Sequence, residues 1–157
     1  MLCFGLLGTL LGGYRVLTFA VLATACSGLF AGAAIYVSAV ESSALLSGGP
    51  EREADGFAPR YERATILQGS LALIGSATGL IAAWQAQDSQ LLIGSLLLAA
   101  VVAMTLGAIL PAGKRLRDPT LDGERATVRR ARWGRLHLAR SVLGFLAFFT
   151  FLLWLGV

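Results

Sequence analysis

The chain has 157 residues, of which 56% are hydrophobic and only 14% charged, with thirteen basic side chains, nine acidic ones and a single histidine. A soluble domain carries about a quarter charged residues, and the charges here are clumped, which excludes an ordinary water-soluble domain. The runs 17–40, 64–84, 91–110 and 141–157 hold no charge, and about 20 apolar residues suffice to cross a hydrocarbon core of ~30 Å. The last run reaches that length once Leu136–Arg140 form its first turn. The expected fold is all-α, a four-helix transmembrane bundle forming one integral membrane domain over 1–157, with spans near 17–40, 64–84, 91–110 and 138–157.

In chain order, "MLCFGLLGTLLGG" comes first. It is apolar but short for a span, and Arg15 follows it, whereas a secretory signal has its positive charge ahead of the apolar stretch. It reads either as an extension of the first helix or as a short interfacial segment. Span one carries Gly28/Gly32 and span two Gly75/Gly79, with Gly8/Gly12 before them and Ala99, Ala103 and Gly107 in span three. Small residues four apart let helix backbones approach in lipid, and packing within one bundle is the plainer use, a dimer face the other. Cys3 and Cys26 sit far apart in apolar sequence, without the spacing of a disulfide, zinc or redox pair.

The links 41–63 and 111–135 are long, and 85–90 is short. In a four-span chain the two long links share one side. Together with Arg140 they hold twelve of the thirteen basic residues, Arg15 being the exception, and basic residues beside spans mark the cytoplasmic side. The expected location is the cell (inner or plasma) membrane, multi-pass, with both termini non-cytoplasmic. Link 41–63 contains "SGGPEREADGFAPRYER", whose Gly and Pro residues suggest turns and at most a short helix. "DGERATVRRARWGRLHLAR" has no proline and should run as one helix into span four. Its arginines suit anionic lipid headgroups. With Trp133 the sole aromatic among them, nucleic-acid binding is not expected.

At 100° per residue, Trp133, His137, Arg140 and Gly144 fall within about 60° of one another on span four. A glycine on that face directs it toward other helices. The same end of the bundle receives Tyr36, Ser38 and Glu41 from span one and Tyr61, Glu62, Arg63 and Gln68 from span two, with Thr105 from span three. Polar groups in a membrane bundle are costly and usually functional, although His137, Arg140 and Trp133 also suit plain interfacial anchoring. One histidine with Glu41 leaves a metal ligand set short, so no metal is expected. No midplane charge or paired broken helices point to transport.

At these residues the sequence resembles the anthrone-oxygenase-like membrane family, most of whose bacterial members have no assigned function. The resemblance rests on "GLFAGAAIYVSAVE", "YERATILQ", "ILPAGKRL" and, most specifically, "RWGRLHLARSVLGFLAF", which is similar to the family's Trp–Leu–His–Arg lead-in to its last helix. Two positions depart from the family: Ser43 stands near where it usually has a proline, and Gly113 where it usually has an asparagine. Its fold therefore transfers more safely than its substrate. The resemblance implies oxidation of a lipophilic anthrone-like aromatic by molecular oxygen without a cofactor. His137 would be the general base, Arg140 or Arg63 the oxyanion stabiliser, and Glu41 the group orienting the imidazole. Tyr36 and Trp133 would flank a planar ring, with Tyr61, Gln68 and Thr105 lining the substrate site. The alternatives are a non-catalytic accessory or scaffold subunit, in a homo-oligomer or larger membrane complex, and a quinone- or lipid-binding protein.

Overall fold

The computed structural model describes residues 2–36, 53–109, 111 and 123–157, and within them the side chains of all but 2–11, 53–64, 123–127, 129, 130 and 133. Among the described residues there are four long helices: α1 (Leu2–Tyr36), α2 (Glu53–Ala86), α3 (Ser89–Met104) and α4 (Gly123–Trp154). A π-helical turn, Thr105–Ile109, continues α3. Each helix holds a stretch long and apolar enough to cross a membrane, Gly12–Tyr36, Thr65–Ala86, Ser89–Ile109 and Gly134–Trp154. Large apolar side chains such as Leu29, Ile66, Leu73, Ile93, Leu138 and Leu153 lie exposed around the bundle. Lipid solvates such a surface, and water does not. The protein is a multi-pass membrane protein.

α1 begins at Leu2 and runs unbroken through the first span, so residues 2–13 extend that helix. α2 differs from the sequence expectation. Where Gly56 and Pro59 favour turns, helix already runs from Glu53 into the span. Pro59 removes one intrahelical hydrogen bond, and the helix continues through it. α4 is continuous from Gly123, so the basic lead-in and the span are one helix.

The α2–α3 turn is built locally. Gln87 takes φ 52° while the Asp88 N–H reaches the Ala83 carbonyl at 3.2 Å, the bond that closes a Schellman-type helix end. Asp88 then caps α3, its Oδ1 accepting from the N–H groups of Gln90 (2.8 Å) and Leu91 (3.0 Å). At the other end of α3, Pro111 has no N–H to give the Gly107 carbonyl and its ring crowds that position. The preceding turn is the one that opens into π geometry.

The helices form a ring in chain order: α1 packs on α2 and α4, and α3 packs on α2 and α4. Between neighbours, residue numbers rise on one helix as they fall on the other, as where Gly28 meets Phe148 and Gly144 meets Phe30. The bundle therefore runs up and down by turns. In lipid no hydrophobic force draws helices together, so close packing and hydrogen bonds must. Glycines provide the packing by receiving rings. A methyl group added at Gly28 would stand 2.9 Å from the Phe148 ring, and one added at Gly94 2.8 Å from the Phe151 ring, which also fills the notch at Gly79. Phe30 fills the notch at Gly144, and Phe30 and Phe151 are fully buried. Gly75 meets Leu98 and Cys26. Gly12, Gly32 and Gly107 have open space around them, so the small-residue pattern serves the bundle at some positions only. Between α2 and α3 the Ser76 hydroxyl donates to the Ser95 carbonyl at 3.1 Å.

Candidate functional site

The inward face of α4 is a seam with alternating steps of three and four residues: His137, Arg140, Gly144, Ala147 and Phe151 are all buried. That spacing keeps one stripe of a helix against its neighbours. It delivers an apolar ring to one end of the bundle and the imidazole and guanidinium to the other. His137 is 6% exposed and Arg140 1%, so neither snorkels to the interface.

Arg140 is held on two sides. Its Nη2 donates to Oε1 of Gln68, itself 2% exposed. α4 and α2 stand diagonally opposite in the ring, so this bond crosses the bundle axis. The guanidinium also lies over the Phe30 ring, its Cζ 5.4 Å from the centroid, a cation–π distance. Phe30 reaches that place because Gly144, one turn along α4 from Arg140, leaves room for its ring. Three helices thus fix one charge.

His137 precedes Arg140 by three residues, about 4.5 Å by helical rise, and its backbone carbonyl accepts from the Ser141 hydroxyl at 2.9 Å. Thr105 is buried at the start of the π-helical turn, which packs on α4. Its hydroxyl proton goes to the Val101 carbonyl at 2.7 Å, leaving oxygen lone pairs to accept. Ser27, Thr24 and Ser95 likewise donate to carbonyls of their own helices.

Of the residues singled out from sequence, the structure buries His137, Arg140, Gln68 and Thr105 and joins Arg140 to Gln68. Tyr36 ends α1 with its side chain 64% exposed and does not join them. Tyr61 and Arg63 lie in α2 and Trp133 in α4, with side chains outside the description, and Glu41 lies outside the described residues. Phe30 is the site residue that sequence reasoning missed. Its ring on α1 lies at the depth of Gly144 on α4, and only the fold pairs the two. No cluster of His, Cys, Asp or Glu among the described residues could hold a metal ion. At the opposite end, a shallow open recess of about 430 Å³ is lined by Tyr14, Arg15, Thr18, Phe19 and Gln85. It contains neither histidine nor carboxylate.

The family model described as anthrone oxygenase matches residues 57–150. That stretch contains Gln68, Thr105, His137 and Arg140 and ends within the last span. No curated protein and no solved structure matches the chain. With more than half of the chain matched, and with its four-helix membrane architecture, this protein belongs to the anthrone oxygenase family.

Proposed function

We propose that this oxygenase-like membrane protein oxidises a lipophilic, anthrone-like aromatic with molecular oxygen, with His137 as general base and Arg140 as oxyanion stabiliser. The observation that carries the reading is the burial of His137 and Arg140 one turn apart on the inward face of α4, with Arg140 bonded across the axis to Gln68. An anthrone C–H is acidic because its conjugate base is an aromatic, phenolate-like anion. A neutral imidazole carries a ring-nitrogen lone pair that can accept the C–H proton, and a permanently charged, fixed guanidinium stabilises the negative oxygen without rearranging. The anion gives electrons to oxygen and forms a carbon–oxygen bond at the same carbon. The resulting peroxide takes up a proton. Loss of the second C–H proton with cleavage of the O–O bond gives the quinone carbonyl. One anthrone and one O₂ become one anthraquinone and one water.

The substrate would enter from the bilayer, and the exposed Arg132 and Arg135 on the α4 lead-in would contact anionic headgroups. The basic links would then face the cytoplasm of a cell membrane and both termini the other side. The test is anthraquinone formation by the detergent-purified protein under ¹⁸O₂. One labelled atom per quinone and one O₂ consumed per anthrone, above the uncatalysed rate, supports the reading. An uncatalysed rate alone overturns it.

A second reading, an accessory subunit in a homo-oligomer or larger complex, draws on the open space at Gly32 and Gly107 on the lipid-facing surface. Crosslinking from cysteines placed at these two positions in native membranes would capture the neighbour it requires.

A further inference from the structure

Arginine side chains are long and flexible, and a buried one adopts a single pose only where its surroundings dictate it. Among the described residues, a hydrogen bond and a ring contact of different kinds constrain Arg140. The bond from Nη2 to the Gln68 amide oxygen fixes one corner of the guanidinium, and the Phe30 ring lies against Cζ, its centroid 5.4 Å away. A tethered corner and a ring packed against the central carbon together restrict the placement of a rigid, planar fork of N–H donors. Both partners are inaccessible, Gln68 at 2% and Phe30 at 0% exposure, so water does not compete for either interaction. Phe30 is itself seated by the notch at Gly144, which closes the bundle immediately below the charge.

We infer that Gln68 and Phe30 are positioning residues that hold the Arg140 guanidinium in one orientation at the floor of the His137 level, and that Gln68 acts through Arg140 and not on substrate. This rests on the function proposed above for its kinetic consequence, but not for its structural one. A donor aimed in advance at the place where charge develops strengthens the transition state without reorganising. Misplacement of a catalytic group by ~1 Å costs roughly 10²-fold in rate. Loosening Arg140 should therefore reduce kcat and leave KM for a flat aromatic, bound mainly by its ring area, nearly unchanged.

The experiment uses ¹⁵N-arginine-labelled full-length protein in detergent, with the Arg140 signals identified by their loss in Arg140→Lys. A held guanidinium shows separate Nη1 and Nη2 signals, and a rotating one shows a single averaged signal. Separate signals are expected in the wild type and in Gln68→Glu, which keeps the acceptor oxygen, and averaged signals in Gln68→Leu. Phe30→Leu, which leaves the hydrogen bond in place, should broaden them, and Phe30→Tyr, which keeps the ring, should not. Averaged signals in the wild type, or separate signals persisting in Gln68→Leu, overturn the inference. In parallel, kcat on anthrone should fall about 10²-fold in Gln68→Leu with KM changed less than about threefold; an unchanged kcat, or a loss wholly in KM, overturns the role through Arg140. If the wild type turns over no anthrone but its Nη signals are separate and collapse in Gln68→Leu, the positioning stands and the catalytic reading fails.

Discussion

The two ends of the bundle are built on the same seam of α4 and do opposite things. At one end Phe151 enters the notches at Gly79 and Gly94 and the axis is closed by carbon. At the other, eleven residues earlier on the same face, Arg140 crosses the axis to Gln68. Both side chains are long, fully buried and directed at α2. The helix supplies the direction, and the identity of the side chain decides whether that level holds the bundle together or carries charge. The closed end should set stability and the charged end activity, and each should be removable without the other.

The largest effect is expected at the charged end. Replacing both Arg140 and Gln68 by leucine removes both ends of the bond across the axis, so neither end of it is left buried alone and the bundle should still fold. It should nevertheless lower oxygen uptake on anthrone by about 10²–10³-fold. A parallel collapse of the unfolding temperature would show that the pair is structural. Phe151→Ala is the mirror image. It empties the space between Gly79 and Gly94 and should cost roughly 3–5 kcal/mol of stability, while turnover per folded molecule remains. Overfilling the same place is milder: Gly94→Val, whose first added carbon already stands 2.8 Å from the ring, should cost about 1–3 kcal/mol, with part of it recovered when Phe151→Leu makes room. The smallest effect belongs to the turn. Asp88→Ala removes the cap of α3 and should cost ~1 kcal/mol with no change in turnover. Thermal unfolding in a single detergent measures all three.

Much of the fold was legible in the sequence because membrane helices are dictated by charge-free length. The four spans, the unbroken lead-in to α4 and the inward face bearing His137, Arg140 and Gly144 follow from composition and a helical wheel. The helical stretch from Glu53 was not legible, since Gly56 and Pro59 are local signals for a turn that the continuing helix overrides. The π-helical turn was also hidden, because Pro111 announces an end to α3 without saying how the chain meets it. Within the site, the sequence placed Gln68 and Arg140 at the same end of the bundle but could not pair them. Spacing along one helix says which residues share a face. It does not say which glycine on another helix receives which ring, and the seating of Phe30 beneath Arg140 depends on that.

The most direct test of the central claim compares initial rates of anthrone oxidation by wild type and His137→Ala at matched folded protein, with the C–H carbon of the anthrone carrying hydrogen or deuterium. A loss of about 10²–10⁴-fold in the variant, with a deuterium effect in the wild type that disappears into the background rate, is the predicted result. Equal rates in the two proteins would contradict the account, because a buried imidazole that takes no proton from the substrate is not the base of this reaction.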